Sequence, residues 1–382
     1  MKKLAIVITH PIQYYAPWFA LLAARGTVRP KVFHTWSQAR ERVLDAGFGK
    51  SLAWDIPLLD GYEHEFVENR SPRPSDQHFR GIDNPDLIAR IEAFEPDFLL
   101  VFGWNFKSHL KAMRHFKGRI PVGFRGDSTL LDERPGPRRW LRRLALRWVY
   151  RHIDMAFAVG QSSRAYFAAH GLGPGRIRLA PHAIDNARFG TLDGAARAEL
   201  AGWRQSLNPD GRRVFLFVGK FEPKKDPLLL ARAAALMPGC LFVMVGDGVL
   251  RPELEALAAA SENLRLLPFQ NQSRMPLVYR LGDCLCLPSA GPGETWGLAA
   301  NEAMACGLPV LLSDKVGGHP DLVAEGRTGR TFRAGSLEAL LEALVALRGA
   351  DLERMGRQAR EHVQAFSFGA ICQALEDWCQ GR

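Results

Sequence analysis

Short apolar runs alternate with amphipathic stretches along the whole chain. Runs such as 98–102 and 214–218 have the length and β-branched or aromatic content of buried strands, while the intervening segments place their apolar residues at helical spacing. In the first half this predicts strands at 4–9, 32–35, 98–102, 122–124, 155–159 and 177–179. Helices are predicted at 18–25, 84–94, 105–115, 138–150 and 162–170. A polar, weakly periodic stretch follows at 191–213, read as a helix and a linker. The pattern then restarts, with strands at 214–218, 241–245, 264–267, 284–287 and 310–313. The helices of this half fall at 227–237, 251–260, 298–305, 336–347 and 351–378, the last broken near Phe366-Ser367-Phe368. Alternation of this kind gives α/β layers around parallel sheets. Its restart predicts two Rossmann-like domains facing an interdomain cleft, with ligands beyond the carboxyl ends of the strands.

At 382 residues and 47% hydrophobic content, the chain has enough apolar material for two cores. No apolar run reaches the roughly 18 residues that a membrane-spanning helix needs. Met1-Lys2-Lys3 followed by a brief apolar run has the look of a leader, but the run is short, lacks a small-residue cleavage site and meets His10-Pro11. A first strand is the reading adopted, and the expected compartment is the cytoplasm. The six cysteines, all in the second half, lie in strand or helix patterns without metal-ligand spacing, so neither a disulfide framework nor a metal cluster is expected. Charge is uneven: residues 1–190 carry 29 Lys and Arg against 18 Asp and Glu, which accounts for the whole net +10. The first half therefore suits an anionic surface or substrate. It carries no recognition motif for nucleic acid, and none is expected as a partner.

The chemistry concentrates in Gly291-Pro-Gly-Glu294-Thr-Trp296-Gly297-Leu298-Ala-Ala-Asn-Glu302-Ala-Met-Ala-Cys306-Gly307-Leu-Pro309-Val310. A Gly-rich loop opens a helix near Gly297, so the backbone N–H groups about 296–299 are free donors at a helix N-terminus, a ready diphosphate site. Glu302, inside the helix, is suited to ribose hydroxyls, and Glu294, in the loop, to sugar hydroxyls. Upstream, Phe217-Val218-Gly219-Lys220-Phe221-Glu222-Pro223-Lys224-Lys225-Asp226 clusters lysines at a strand end, where they can hold a diphosphate and neutralise a departing nucleotide.

The two acids eight apart, followed by Ala-Met-Ala-Cys-Gly-Leu-Pro-Val, resemble the signature of glycosyltransferase family 4. The resemblance is specific across 214–330 and looser across 1–190. It implies the GT-B fold, with a donor-binding second domain. The domain bounds it implies are 1–190 for the acceptor side, 191–365 for the donor side, and 366–382 for a last helix returning to the first domain. Lys225 aligns with the family's phosphate-binding Lys, and Lys220 with a position that is usually Arg. Pro268-Phe269-Gln270 follows a strand where the family meets the base. Val245-Gly246-Asp247-Gly248 resembles the family's Gly-Asp-Gly turn, and Gly317-Gly318-His319-Pro320-Asp321 a turn near the donor pocket. Pro181-His182-Ala183-Ile184-Asp185 stands where the family often has Asn-Gly-Val-Asp.

In the first half, His10, Gln13 and Tyr14 follow the first strand, where family members often carry a Gly-rich loop; they either line the cleft or pack the loop. Phe124-Arg125-Gly126-Asp127 ends another strand. Asp127 stands where many relatives have His, either to hold the acceptor hydroxyl or as half of a structural pair with Arg125. Residues 138–151 set Arg139, Arg143 and Arg147 beside a stripe of Trp140, Leu144 and Trp148. The stripe either packs into the domain or meets an anionic membrane.

The expectation is therefore a retaining, metal-independent glycosyltransferase without cofactor. It moves a sugar from a nucleotide-sugar donor to a glycan or lipid-linked acceptor, in bacterial surface glycan synthesis by family habit. Glu294, Lys225 and Asp127 are the expected catalytic residues. Lys220, Lys225, Glu294, Trp296, Gly297, Leu298, Glu302 and Phe269 are expected on the donor; His10, Gln13, Tyr14, Arg125 and Asp127 on the acceptor side. Peripheral attachment through 138–151 to the inner face of the plasma membrane is a further expectation. The alternatives are an epimerase or phosphorylase on the same fold, or a non-catalytic nucleotide-sugar-binding protein.

Overall fold

The structure, a computed structural model, describes residues 1–39, 43–45, 50–52 and 55–382. They form two compact units, one built from the chain up to His182 together with Phe368–Arg382, the other chiefly from Ala183–Ser367.

The first unit contains β1 (Lys2–Ile8), β2 (Val28–His34), β5 (Glu63–Phe66), β6 (Phe98–Phe102), β7 (Val122–Gly126), β8 (Met155–Ala158) and β9 (Ile177–Leu179), and all but one end residue each of β3 (Val43–Asp45) and β4 (Lys50–Leu52). Seven of these make one sheet, in the order β5-β2-β1-β6-β7-β8-β9, with parallel pairings. β3 and β4 form a separate two-stranded sheet. Parallel strands need crossover helices, and these cover both faces, so central strands read as continuous apolar runs. Leu4, Ala5, Ile6 and Val7 of β1 are accordingly wholly buried.

The helix Ala16–Arg25 begins with Pro17, whose missing N–H costs nothing there, and ends on Gly26 in the left-handed region at φ +67°. The terminal helix Phe368–Cys379 belongs to this unit. The Arg25 guanidinium grips the Glu376 carboxylate through Nε at 2.8 Å and Nη2 at 2.6 Å. Trp378 packs edge-on against Phe98 and Phe157. Gly123 of β7 leaves room for that indole: a Cβ there would lie 2.9 Å from its ring.

The second unit has β10 (Arg213–Val218), β11 (Cys240–Val245), β12 (Leu264–Leu267), β13 (Cys284–Leu287), β14 (Val310–Ser313) and β15 (Gly329–Phe332). They form one parallel sheet in the order β12-β11-β10-β13-β14-β15. Numbered from its own first strand, that order is 3-2-1-4-5-6. Such a sheet changes direction of growth beside its first strand, which leaves a crevice at the carboxyl ends there. The two α/β units expected from the sequence are present. Two edge strands, β5 and β15, were not foreseen: Glu63-His-Glu-Phe66 and Gly329-Arg-Thr-Phe332 are polar because each pairs on one side only. All six cysteines are buried free thiols, as their apolar surroundings implied.

Arg25→Ala leaves Glu376, with 3% of its side chain exposed, as an unpaired buried carboxylate. Arg25 is itself about one-third exposed. The expected loss is therefore about 2 kcal/mol, below the range for a fully buried pair. Urea unfolding followed by Trp378-sensitive fluorescence measures it.

Candidate functional site

In the second unit, the expected donor residues emerge from carboxyl strand ends. Gly219 and Lys220 follow β10, Gly246–Gly248 follow β11, Phe269 follows β12, and the Glu294 loop follows β13. Backbone hydrogen bonds tie these loops together. Phe221 N–H donates to Asp247 O at 2.8 Å, and Ala290 N–H donates to Lys224 O at 2.9 Å. Gly317 N–H donates to Glu294 O and Gly318 N–H to Trp296 O, both at 2.9 Å.

Lys225 closes a short 3-10 turn, Pro223–Lys225, and is followed by Asp226 at φ +46°. A non-glycine residue in the left-handed region is costly, and such strain clusters at functional turns. The turn brings Lys225 Nζ onto Glu294 Oε2, an ion pair in which Glu294 is 7% exposed and Lys225 19%. Ser289 Oγ donates to the same carboxylate oxygen at 3.3 Å. The helix Leu298–Ala305 starts directly after Gly297, which adopts φ +92°. A Cβ on Gly297 would lie 2.7 Å from Val316 Cγ1, so both the conformation and the space call for glycine. Ala300 N–H donates to Gly297 O at 2.8 Å, and the N–H groups ahead of it stand at the positive end of the helix dipole.

Glu302 lies inside this helix, 2% exposed, and one carboxylate oxygen accepts the Tyr279 hydroxyl at 2.5 Å. The Trp296 indole is 3% exposed and donates to Asn301 Oδ1 at 2.8 Å, so its ring is a packing group. Asp247 accepts from Gly248 N–H and from Arg251 Nε, both at 2.9 Å, which makes it a turn-forming residue.

In the first unit a second set gathers at the ends of β1, β7 and β9. Arg125 is 3% exposed, and its terminal nitrogens donate to Ala180 O at 2.6 Å and Pro181 O at 3.2 Å. Its guanidinium thus holds the backbone that leads into His182. The His182 ring stacks on Tyr15, with centroids 6.3 Å apart and planes 5° from parallel. His182 Nε2 lies 3.9 Å from Asp127 Oδ2, within electrostatic reach but beyond a hydrogen bond. Asp127 keeps 48% of its side chain exposed. Burial lowers the His182 pKa, opposed by Asp127. Burial, with Asp127 adding to it, pushes the Tyr15 hydroxyl up to about 12. His182 and Tyr15 were not among the expected site residues. The sequence did hold a signal, since His182 stands where the resembling family often has Asn. His10 is set edge-on to Trp36, with Nδ1 3.0 Å from Thr9 Oγ1, while Gln13 and Tyr14 are half-buried on the following loop.

Two Rossmann-like α/β units, each with polar groups at the carboxyl ends of a parallel sheet, define the GT-B class. Anabaena HepE, solved in complex with UDP and glucose, shares this fold with a TM-score of 0.71 over 100% of both chains at 18% identity. Residues 202–362 match the family described as Glycosyl transferases group 1, and residues 43–188 match Glycosyltransferase Family 4. The chain belongs to glycosyltransferase family 4. It is 35% identical over 266 residues to a D-inositol 3-phosphate glycosyltransferase of Nocardia farcinica, covering 65% of this chain and 57% of that one. It is 34% identical over 214 residues to the Mycolicibacterium gilvum enzyme of the same name, covering 54% and 47%. The chain thus spans about half the length of these curated relatives.

Two histidines make the first unit acid-sensitive. His34 is fully buried with neither ring nitrogen partnered among the described residues, and its pKa falls from 6.5 to about 3 through burial, then through His64 and His10. Burial takes His109 to about 4. Both stay neutral when folded, while the unfolded chain takes up protons below 6.5. Their stabilisation is complete above that pH and lost as pH falls toward the folded values, by about 1.4 kcal/mol per pH unit for each group. Urea unfolding between about pH 7 and pH 5 is expected to show this loss, and His34→Phe to reduce its slope by about one proton.

Proposed function

We propose that the chain is a retaining glycosyltransferase that uses a nucleoside-diphosphate sugar, bound by the second unit, to glycosylate a glycan or lipid-linked acceptor handled by the first. The observation that carries this reading is the Lys225–Glu294 pair, held by strained, cross-tied loops beside the anion-binding end of Leu298–Ala305. Without donor, each charge neutralises the other. With donor, Lys225 turns to the diphosphate and Glu294 to the sugar hydroxyls, and the pair opens.

Negative charge builds on the diphosphate as the glycosidic bond breaks. Lys225, Lys220 and the backbone N–H groups of Leu298 and its neighbours stabilise it before it forms, which is the efficient electrostatic arrangement. These fixed cations supply the countercharge, so the reaction proceeds without a metal. Glu302 and Phe269 hold ribose and base. On the first unit, Asp127 positions the acceptor hydroxyl, with His182 as its neighbour and Arg125 fixing the His182 backbone. Family habit supports retention, and the names of the relatives support a polyol or glycan acceptor. The basic first unit supports work at the inner face of a membrane.

Lys225→Ala and Glu294→Ala are each expected to lower kcat/KM at least about a hundredfold; each leaves its largely buried partner unpaired, so the ligand-free protein should melt a few degrees lower while keeping its folded circular dichroism. A panel of nucleotide sugars should raise the melting temperature of wild type selectively, and Lys225→Ala should abolish the rise. NMR of the first-formed product should show the donor's anomeric configuration, and EDTA should leave the rate unchanged. Wild-type turnover in either variant overturns the assignment. Donor binding with no transfer to any acceptor supports the sensor reading, which the exposed Asp127 in place of His favours. Donor conversion without acceptor supports an epimerase, and a requirement for inorganic phosphate a phosphorylase.

A further inference from the structure

The helix Pro137–Tyr150 buries Leu146, Val149 and Tyr150 against its own unit. Its opposite side is not polar. Trp140, Leu141, Leu144 and Trp148 are exposed to 66%, 67%, 53% and 40%. At 3.6 residues per turn these four fall within one arc about 100° wide. Arg143 and Arg147 border the arc on one edge, and Arg138 on the other. Between Glu133 and Asp154 the chain holds seven arginines and no acid. Arg142, on the inward arc, donates to the Tyr166 hydroxyl at 3.0 Å, and on the border Arg143 reaches Glu133 at 3.4 Å, so part of the basic border is held in place.

A helix on the surface of a globular unit turns its apolar stripe inward and its charges outward. This one has an inward stripe and a second apolar face outside it. The outer face suits a medium that accepts hydrocarbon along its centre line and anions along both edges, which is the boundary of an anionic bilayer. Trp favours the headgroup level, Arg stems lie along apolar surface, and the guanidinium fork matches phosphate oxygens. A second copy of the chain fits poorly. A two-fold contact on this face would set arginine against arginine, with no carboxylate on the helix to compensate.

We infer that Pro137–Tyr150 is a membrane-docking helix. It lies in the plane of an anionic bilayer, with Trp140, Leu141, Leu144 and Trp148 at the acyl boundary and the flanking arginines on lipid phosphates. The inference concerns the first unit alone and does not rest on the glycosyl-transfer reading.

The test is co-sedimentation of the full chain with vesicles of phosphatidylcholine alone and of phosphatidylcholine with phosphatidylglycerol. Wild type is expected to pellet with the anionic vesicles only. The double substitution Trp140→Ser, Leu144→Ser should lower that partition about tenfold or more. Arg138→Gln with Arg147→Gln should lower it too, more steeply as salt rises. Acyl-brominated phosphatidylglycerol should quench tryptophan fluorescence in wild type, and less in Trp140→Phe, Trp148→Phe. Circular dichroism, melting and the nucleotide-induced thermal shift should be unchanged in every variant, which separates this result from any failure of the donor site. Equal pelleting of wild type and the Ser variant overturns insertion. No pelleting with anionic vesicles overturns the docking surface altogether. A dimer in light scattering that the Ser variant dissociates assigns the face to a second copy instead.

Discussion

The organisation of both units follows from one constraint: a parallel sheet that grows outward from its first strand in two directions. Crossover connections run right-handed, so helices before and after the reversal fall on opposite faces. The loops leaving the strands on either side of β1, and of β10, therefore part instead of crowding. In the second unit Lys220, Lys225 and Glu294 leave the sheet at this opening; in the first, His10 does so, while Asp127 and His182 leave further along the same carboxyl edge, after β7 and β9. The apolar interior of each sheet is the fixed frame, and the chemistry is carried by loops whose backbone is tied across neighbouring strands.

The second unit shows how such loops hold opposed charges together at the carboxyl edge of a sheet. Lys225 sits after a tight turn, Glu294 after a Gly-Pro-Gly run, and the two are joined by hydrogen bonds from Ala290 and Gly291 to Lys224 O. The ion pair is neither fully exposed nor fully buried, so it keeps each group ordered without the large desolvation penalty of a deep pair. An ordered, mutually satisfied pair is the resting state that the proposed donor binding would open.

Much of this was legible in the sequence, for identifiable reasons. Strands such as 98–102, 284–287 and 310–313 read correctly because both their faces are covered and their apolar runs are unbroken. The start of the helix at Leu298 was legible because Gly297 supplies a conformation other residues resist. β5 and β15 were missed because edge strands carry Glu63, Glu65 and Arg330 where central strands carry Val and Leu. The outward orientation of Trp140 and Trp148 was left open, since a helical stripe does not by itself say which side faces the core. His182 escaped because its importance comes from Tyr15 and Asp127, which lie more than fifty residues away along the chain.

The Arg25–Glu376 clasp also has a bearing on connectivity. Residues on both sides of Ala183–Ser367 in sequence belong to the first unit, so this main part of the second is an insert with two covalent joins, near 182–183 and 367–368. An insert of this kind behaves as a cassette. A related unit spliced at those two joins would inherit a host whose sheet and terminal helix already recognise each other, and the ligand preference of the insert could be exchanged while the first scaffold stays intact.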